Sequence, residues 1–100
     1  MVLDKPIKVM LVDDDPSIHE SLRDVVEEVG YEFCSALSGR EGLRLLDEER
    51  PDLLLLDVMM PGMNGFDVCR QIREEGRRIP IIFLTAKNDI VDKSTGFGAG

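Results

Sequence analysis

Short apolar runs alternate with longer amphipathic ones along the chain, and that alternation predicts its elements. Residues 7–12, "IKVMLV", are nearly all apolar and read as a strand. Pro16 then stands where a first helical turn tolerates proline, with Asp15 before it as an N-cap. Ile18, Leu22, Val25, Val26 and Val29 recur at helical spacing as one apolar stripe, and Glu20, Arg23, Asp24, Glu27 and Glu28 fall on the wet side. Gly30 stops this helix. Residues 31–36 read as a second strand. Ser38 and Glu41 form a capping box for a helix that buries Leu43, Leu45 and Leu46 and ends at Pro51.

Residues 52–57 are "DLLLLD", and four consecutive leucines cannot alternate between a wet and a dry face. In a strand this short they predict burial on both faces, as in a parallel sheet covered by helices. The loop "VMMPGMNG" follows, then a helix lined by Phe66, Cys69 and Ile72 that ends near Gly76. Residues 80–84 are a fourth apolar strand with proline at its start. From Asp89 the pattern is weakly helical, with Ile90, Val91 and Phe97 as its apolar side. Strand and helix thus alternate four times. That order predicts an α/β fold, a doubly wound parallel sheet with right-handed crossovers.

The chain has 100 residues, enough for one domain and a modest core. Its net charge of −8 makes the segment a poor nucleic-acid binder. No apolar run approaches the ~20 residues of a membrane span. Cys34 and Cys69 fit neither a metal-ligand spacing nor a disulfide framework and read as small buried hydrophobes. With no signal peptide, the cytoplasm is the expected compartment.

Charge changes the picture at the strand ends. In a doubly wound sheet, ligands bind beyond the carboxyl ends of the strands, where strand order reverses. The first strand ends at Asp13 and Asp14, the third at Asp57 and the fourth at Thr85. Two carboxylates ~4 Å apart repel by about 4 kcal/mol at an effective dielectric of 20, and three in one crevice repel more. Either protons or a cation must neutralise them. Oxygen ligands, few in number and with room for water, suit Mg²⁺. A proton-sharing pair for hydrolysis is the competing reading, but it needs a substrate pocket and further positioning groups. Capping and surface charge account for Asp15; they account poorly for Asp13 and Asp14, which directly follow a buried strand.

The segments "VMLVDDDPS", "PDLLLLDVMMPGMNGFDV" and "IPIIFLTA" together resemble the receiver domain of two-component response regulators. The resemblance implies a flavodoxin-like fold with four strands in the order 2-1-3-4. It implies that Asp57 accepts a phosphoryl group from a sensor histidine kinase. Asp13 and Asp14 match the acidic pair that holds Mg²⁺, with Asp14 as the direct ligand, and the backbone carbonyl of Met59 matches a further ligand. Thr85 matches the switch hydroxyl, and Ala86 the small residue whose N–H faces a phosphoryl oxygen. The implied role is a regulatory phosphoacceptor rather than an enzyme, signalling to an output domain or effector protein.

Several features invite other readings. A non-phosphorylated interaction module of the same fold is the alternative function. A Mg²⁺-dependent phosphatase would want an acid two residues after its nucleophile, and Met59 stands there. His19 lies beside the apolar stripe and reads as a solvated surface residue. "GFGAG" at residues 96–100 follows no strand and is no nucleotide loop. The methionines at 59, 60 and 63 adjoin Asp57, where oxygen chemistry outweighs sulfur. The family pattern continues past Gly100 with a fifth strand, carrying a lysine, and a fifth helix. The sequence therefore reads as a receiver domain shortened at its C-terminal side. A bare fourth strand would be an apolar edge, so a homodimer through that edge, or by element swapping, is a secondary expectation.

Overall fold

The computed structural model describes residues 6–84. Seven elements follow one another: β1 (Lys8–Val12), α1 (Pro16–Glu28), β2 (Glu32–Ala36), α2 (Gly39–Glu49), β3 (Leu53–Asp57), α3 (Gly65–Glu74) and β4 (Ile81–Leu84). The four strands form one sheet in the order β2-β1-β3-β4, and every pairing is parallel. The chain runs outward from β1 to β2, then crosses back over β1 to β3, so the strand order reverses at the β1–β3 seam. The expected α/β doubly wound sheet and its order are what the chain adopts. The expected weak helix from Asp89 lies outside the described residues.

Local chemistry explains where the helices begin and end. The Asp15 carboxylate accepts from the Ser17 N–H at 3.0 Å and caps α1. The Ser38 hydroxyl accepts from the Glu41 N–H at 3.2 Å, but the Glu41 carboxylate reaches back to the N–H of Leu37 rather than that of Ser38. Asn64 and Asp67 make a complete capping box for α3, which the loop-rich sequence before it did not advertise. Arg50 closes α2 in the left-handed region, at φ 49°, just before Pro51. At the end of α3, the Arg73 guanidinium donates to the carbonyls of Arg77 and Ile79 and so ties the helix to the entry of β4.

The core is lopsided. On one face Met10, Val12, Ala36, Leu54 and Leu56 pack with Leu46 of α2 and with Val68, Cys69 and Ile72 of α3. Phe66 and Phe83 meet at this edge, ring centroids 5.0 Å apart and tilted. On the other face Val9 and Leu11 are buried with Val26 of α1, and Arg23 sits over the Phe33 ring. Leu53 and Leu55 are only half-buried there, so "DLLLLD" is not equally dry on both sides. The α1 stripe is likewise narrower than its periodicity predicts: Val25 and Val29 are 58% and 62% exposed. Their helical phase is right, but among the described residues no element lies over them.

Gly65 opens α3 against the backbone of β3. A Cβ there would lie 2.4 Å from the carbonyl oxygen of Asp57 and 2.9 Å from the Val58 Cα. The Gly65 N–H also donates to the Val58 carbonyl at 3.0 Å, so neither partner can give way without breaking that contact. Gly65→Ala should therefore destabilise the fold by about 1–3 kcal/mol, the usual cost of overpacking. It should lower the urea midpoint with little change in slope. An unchanged midpoint would mean that the loop before α3 moves freely away from β3.

Candidate acidic metal centre

The strand ends deliver their side chains to the β1–β3 seam. The ladder between β1 and β3 stops at Val12 and Leu56, so Asp13 and Asp57 each stand one residue further along. Both are nearly buried, while Asp14 is exposed at the rim. One carboxylate oxygen from each of Asp13, Asp14 and Asp57 lies within 4.8 Å of the others. Among the described residues this is a group of acids that could hold a metal ion.

Backbone groups fix the two buried carboxylates. The Asp15 N–H donates to Asp13 Oδ1 at 2.8 Å, and the Met59 N–H donates to Asp57 Oδ1 at 3.1 Å. Each is an Asx-type turn that folds the chain back over its own strand end. Burial raises the Asp57 carboxyl from the ordinary 3.8 to about 6, and the charges of Asp13 and Asp14 push the same way against the lowering effect of the Met59 N–H. Asp13 is raised too, chiefly by burial and further by Asp14, while the Asp15 N–H opposes the shift. Crowded hard-oxygen donors that resist losing their protons are the donor set a small divalent cation satisfies.

His19 is a correction. Its helical phase beside the apolar stripe suggested a solvated residue, yet it is only 9% exposed. Its Nε2 lies 2.6 Å from the carbonyl oxygen of Asp13, and since a carbonyl only accepts, Nε2 carries the donated proton. The spacing held a clue. His19 is four residues beyond the Asp15 cap, in the turn of α1 that lies nearest the end of β1. The Met59 side chain is exposed, and only its backbone meets Asp57. Thr85 and Ala86 lie outside the described residues.

Comparison with known proteins identifies the family and the fold. The family model of the response regulator receiver domain matches residues 9–100. The chain is 43% identical over 95 residues to the response regulator MprA of Mycolicibacterium vanbaalenii, covering 95% of this chain and 41% of that protein. It is 46% identical over 92 residues to the transcriptional regulatory protein AfsQ1 of Streptomyces coelicolor, covering 92% of this chain and 40% of that one. It thus spans about two-fifths of the length of these curated relatives. Among solved structures, the chemotaxis response regulator CheY4 of Vibrio cholerae superposes with a TM-score of 0.85 at 33% identity, over 96% of this chain and 82% of that one. A receiver domain of a Francisella response regulator gives 0.85 at 30% identity, over 94% and 78%.

The raised Asp57 carboxyl carries a stability consequence whose sign can be worked out. A folded-state value above the unfolded one favours folding below the unfolded value, and that advantage is lost as pH rises through the folded value. In the presence of a chelator, wild type should therefore lose stability between roughly pH 4 and pH 6. Asp57→Asn, which mimics the protonated form, should be the more stable protein at pH 7.5 by about 1–3 kcal/mol, with the gap shrinking below pH 6. Thermal melts of both proteins across this range measure it. A pH-independent gap would show that the fold does not raise the Asp57 carboxyl.

Proposed function

The chain belongs to the response regulator receiver domain family, and on that premise we propose that it is the phosphoacceptor switch of a two-component phosphorelay, with Asp57 taking the phosphoryl group. One observation carries the reading: the carboxylates of Asp13, Asp14 and Asp57 meet at the point where the strand order reverses. Mg²⁺ is the proposed cation. Asp14, Asp57 and the backbone carbonyl of Met59 would hold it directly, and Asp13 through water. When bound, the ion neutralises the charge that would otherwise repel a phosphoryl group from three carboxylates.

The protein's own part is positioning. The Met59 N–H orients one oxygen of Asp57, and the other attacks phosphorus. The bond between phosphorus and the donor's imidazole nitrogen breaks, its electron pair leaves with the nitrogen, and an acyl phosphate forms on Asp57. Asp57 must be anionic to attack, so the cation also serves by favouring the deprotonated carboxylate. Leu84 is in register with Asp57 across the β3–β4 ladder. Thr85 and Ala86 follow it in sequence, and the proposal gives them the switch hydroxyl and the N–H that faces a phosphoryl oxygen.

A sensor histidine kinase is the proposed donor, and an output domain or effector protein the proposed recipient of the signal. The reaction is placed in the cytoplasm, where ATP charges such kinases. Among the described residues no helix is long and apolar enough to cross a membrane. The domain is proposed to assist only its own phosphorylation and dephosphorylation.

Incubation with acetyl phosphate and Mg²⁺, followed by intact-mass spectrometry, tests the proposal. Wild type should gain one phosphoryl group, and Asp57→Ala none. No gain in folded wild type, or equal gain in both proteins, overturns Asp57 as the acceptor.

A further inference from the structure

Asp13 and Asp14 are joined by one peptide plane, and among the described residues three hydrogen bonds hold that segment once the β1–β3 ladder has ended. The Asp13 N–H donates to the carbonyl of Ala36 at 3.2 Å, at the end of β2. The Asp13 carboxylate accepts from the Asp15 N–H at 2.8 Å. The Asp13 carbonyl accepts from His19 Nε2 at 2.6 Å. The first two bonds fix Asp13 itself. Among the described residues, the third is the one that acts on the plane between Asp13 and Asp14.

The orientation of that plane sets ψ of Asp13 and φ of Asp14. These two angles aim the Cα–Cβ bond of Asp14, and so its carboxylate. Asp14 needs this more than its neighbours do, because it stands exposed at the rim while Asp13 and Asp57 are enclosed. His19 suits the task. It is buried on a helix whose start is capped by Asp15, so its ring is held by a rigid element rather than by a loop. Its donation does not depend on ionisation, since Nε2 carries a proton in both this neutral tautomer and the imidazolium.

We propose that His19 is a positioning residue that aims the Asp14 carboxylate into the cation site by holding the Asp13–Asp14 peptide plane. The inference rests on the proposed role of Asp13, Asp14 and Asp57 in cation binding, and adds to it a residue that bonds a ligand's backbone rather than the cation. Such supporting partners commonly change metal affinity as much as tenfold or more.

Mg²⁺ titrations of the full ¹⁵N-labelled chain, followed by NMR at neutral pH, test it. The spectra report folding and affinity together. His19→Leu removes the donor and should raise the Mg²⁺ Kd about tenfold in a chain that still gives a folded spectrum. His19→Gln carries an N–H₂ that reaches the same carbonyl and should recover most of that loss. His19→Phe keeps a ring without a donor, and it replaces His19→Leu if that variant does not fold. Asp14→Asn is the reference for a lost ligand. An unchanged Kd in the donor-less variant overturns the positioning role while leaving the cation site standing. Equal weakening in His19→Gln and the donor-less variant also overturns it, because packing rather than donation would then matter. Failure of wild type to bind Mg²⁺ overturns the cation reading, and the positioning role with it.

Discussion

Mutual repulsion among three carboxylates, with oxygens within 4.8 Å of one another, is the constraint around which this fold is arranged. Two of the three are nearly buried, so water cannot screen them as it screens surface acids. Burial and repulsion together push the Asp57 carboxyl to about 6. The arrangement costs stability, and the surrounding structure has to hold it against that cost. Parallel strands do so by geometry: β1 and β3 are neighbours in register, so Asp13, just after β1, and Asp57, the last residue of β3, come to the same edge.

Close backbone contacts do the rest. Gly65 lets the first turn of α3 lie directly on the Asp57 backbone, and its N–H holds the Val58 carbonyl. The Asp15 and Met59 N–H groups each fix one carboxylate oxygen of Asp13 and Asp57. These are short-range bonds between residues two apart, made by the turn itself. They cost little ordering beyond what the turn already requires. The core beneath, with Leu54, Leu56 and Ile72 fully enclosed, supplies the rigidity that lets like charges stay close.

Much of this was legible in the sequence, and the exceptions share a cause. Alternating apolar runs located all seven elements to within a residue or two, because each buried run is bounded by a cap, a proline or a glycine. The meeting of Asp13, Asp14 and Asp57 followed from strand ends and topology, not from any local spacing. What failed were a few inferences about which side of an element is covered, whereas Val26, Leu46, Leu54, Leu56, Cys69 and Ile72 are buried as expected. His19 was read from helical phase alone, and phase does not register that the first turn of α1 bends over the end of β1. Val25 and Val29 were read as core because periodicity reports which residues face one way. It does not report whether anything packs against them. Leu53 and Leu55 show the same limit on the sheet.

The energetics of the acidic centre also bear on why a cation, rather than a proton, suits it. A proton on Asp57 would relieve the repulsion, and the value of about 6 shows how readily the isolated site takes one. A protonated carboxyl, however, is a poor nucleophile toward phosphorus. A divalent cation relieves the same repulsion while leaving the carboxylate anionic, because its charge is shared among the oxygens without forming a bond to hydrogen. The two neutralisers therefore compete for one site with opposite chemical consequences. A site built only for stability would have replaced one acid by a neutral residue. Under the proposed role of Asp57 as phosphoacceptor, the anionic form is the one put to use, and a cation rather than a proton preserves it.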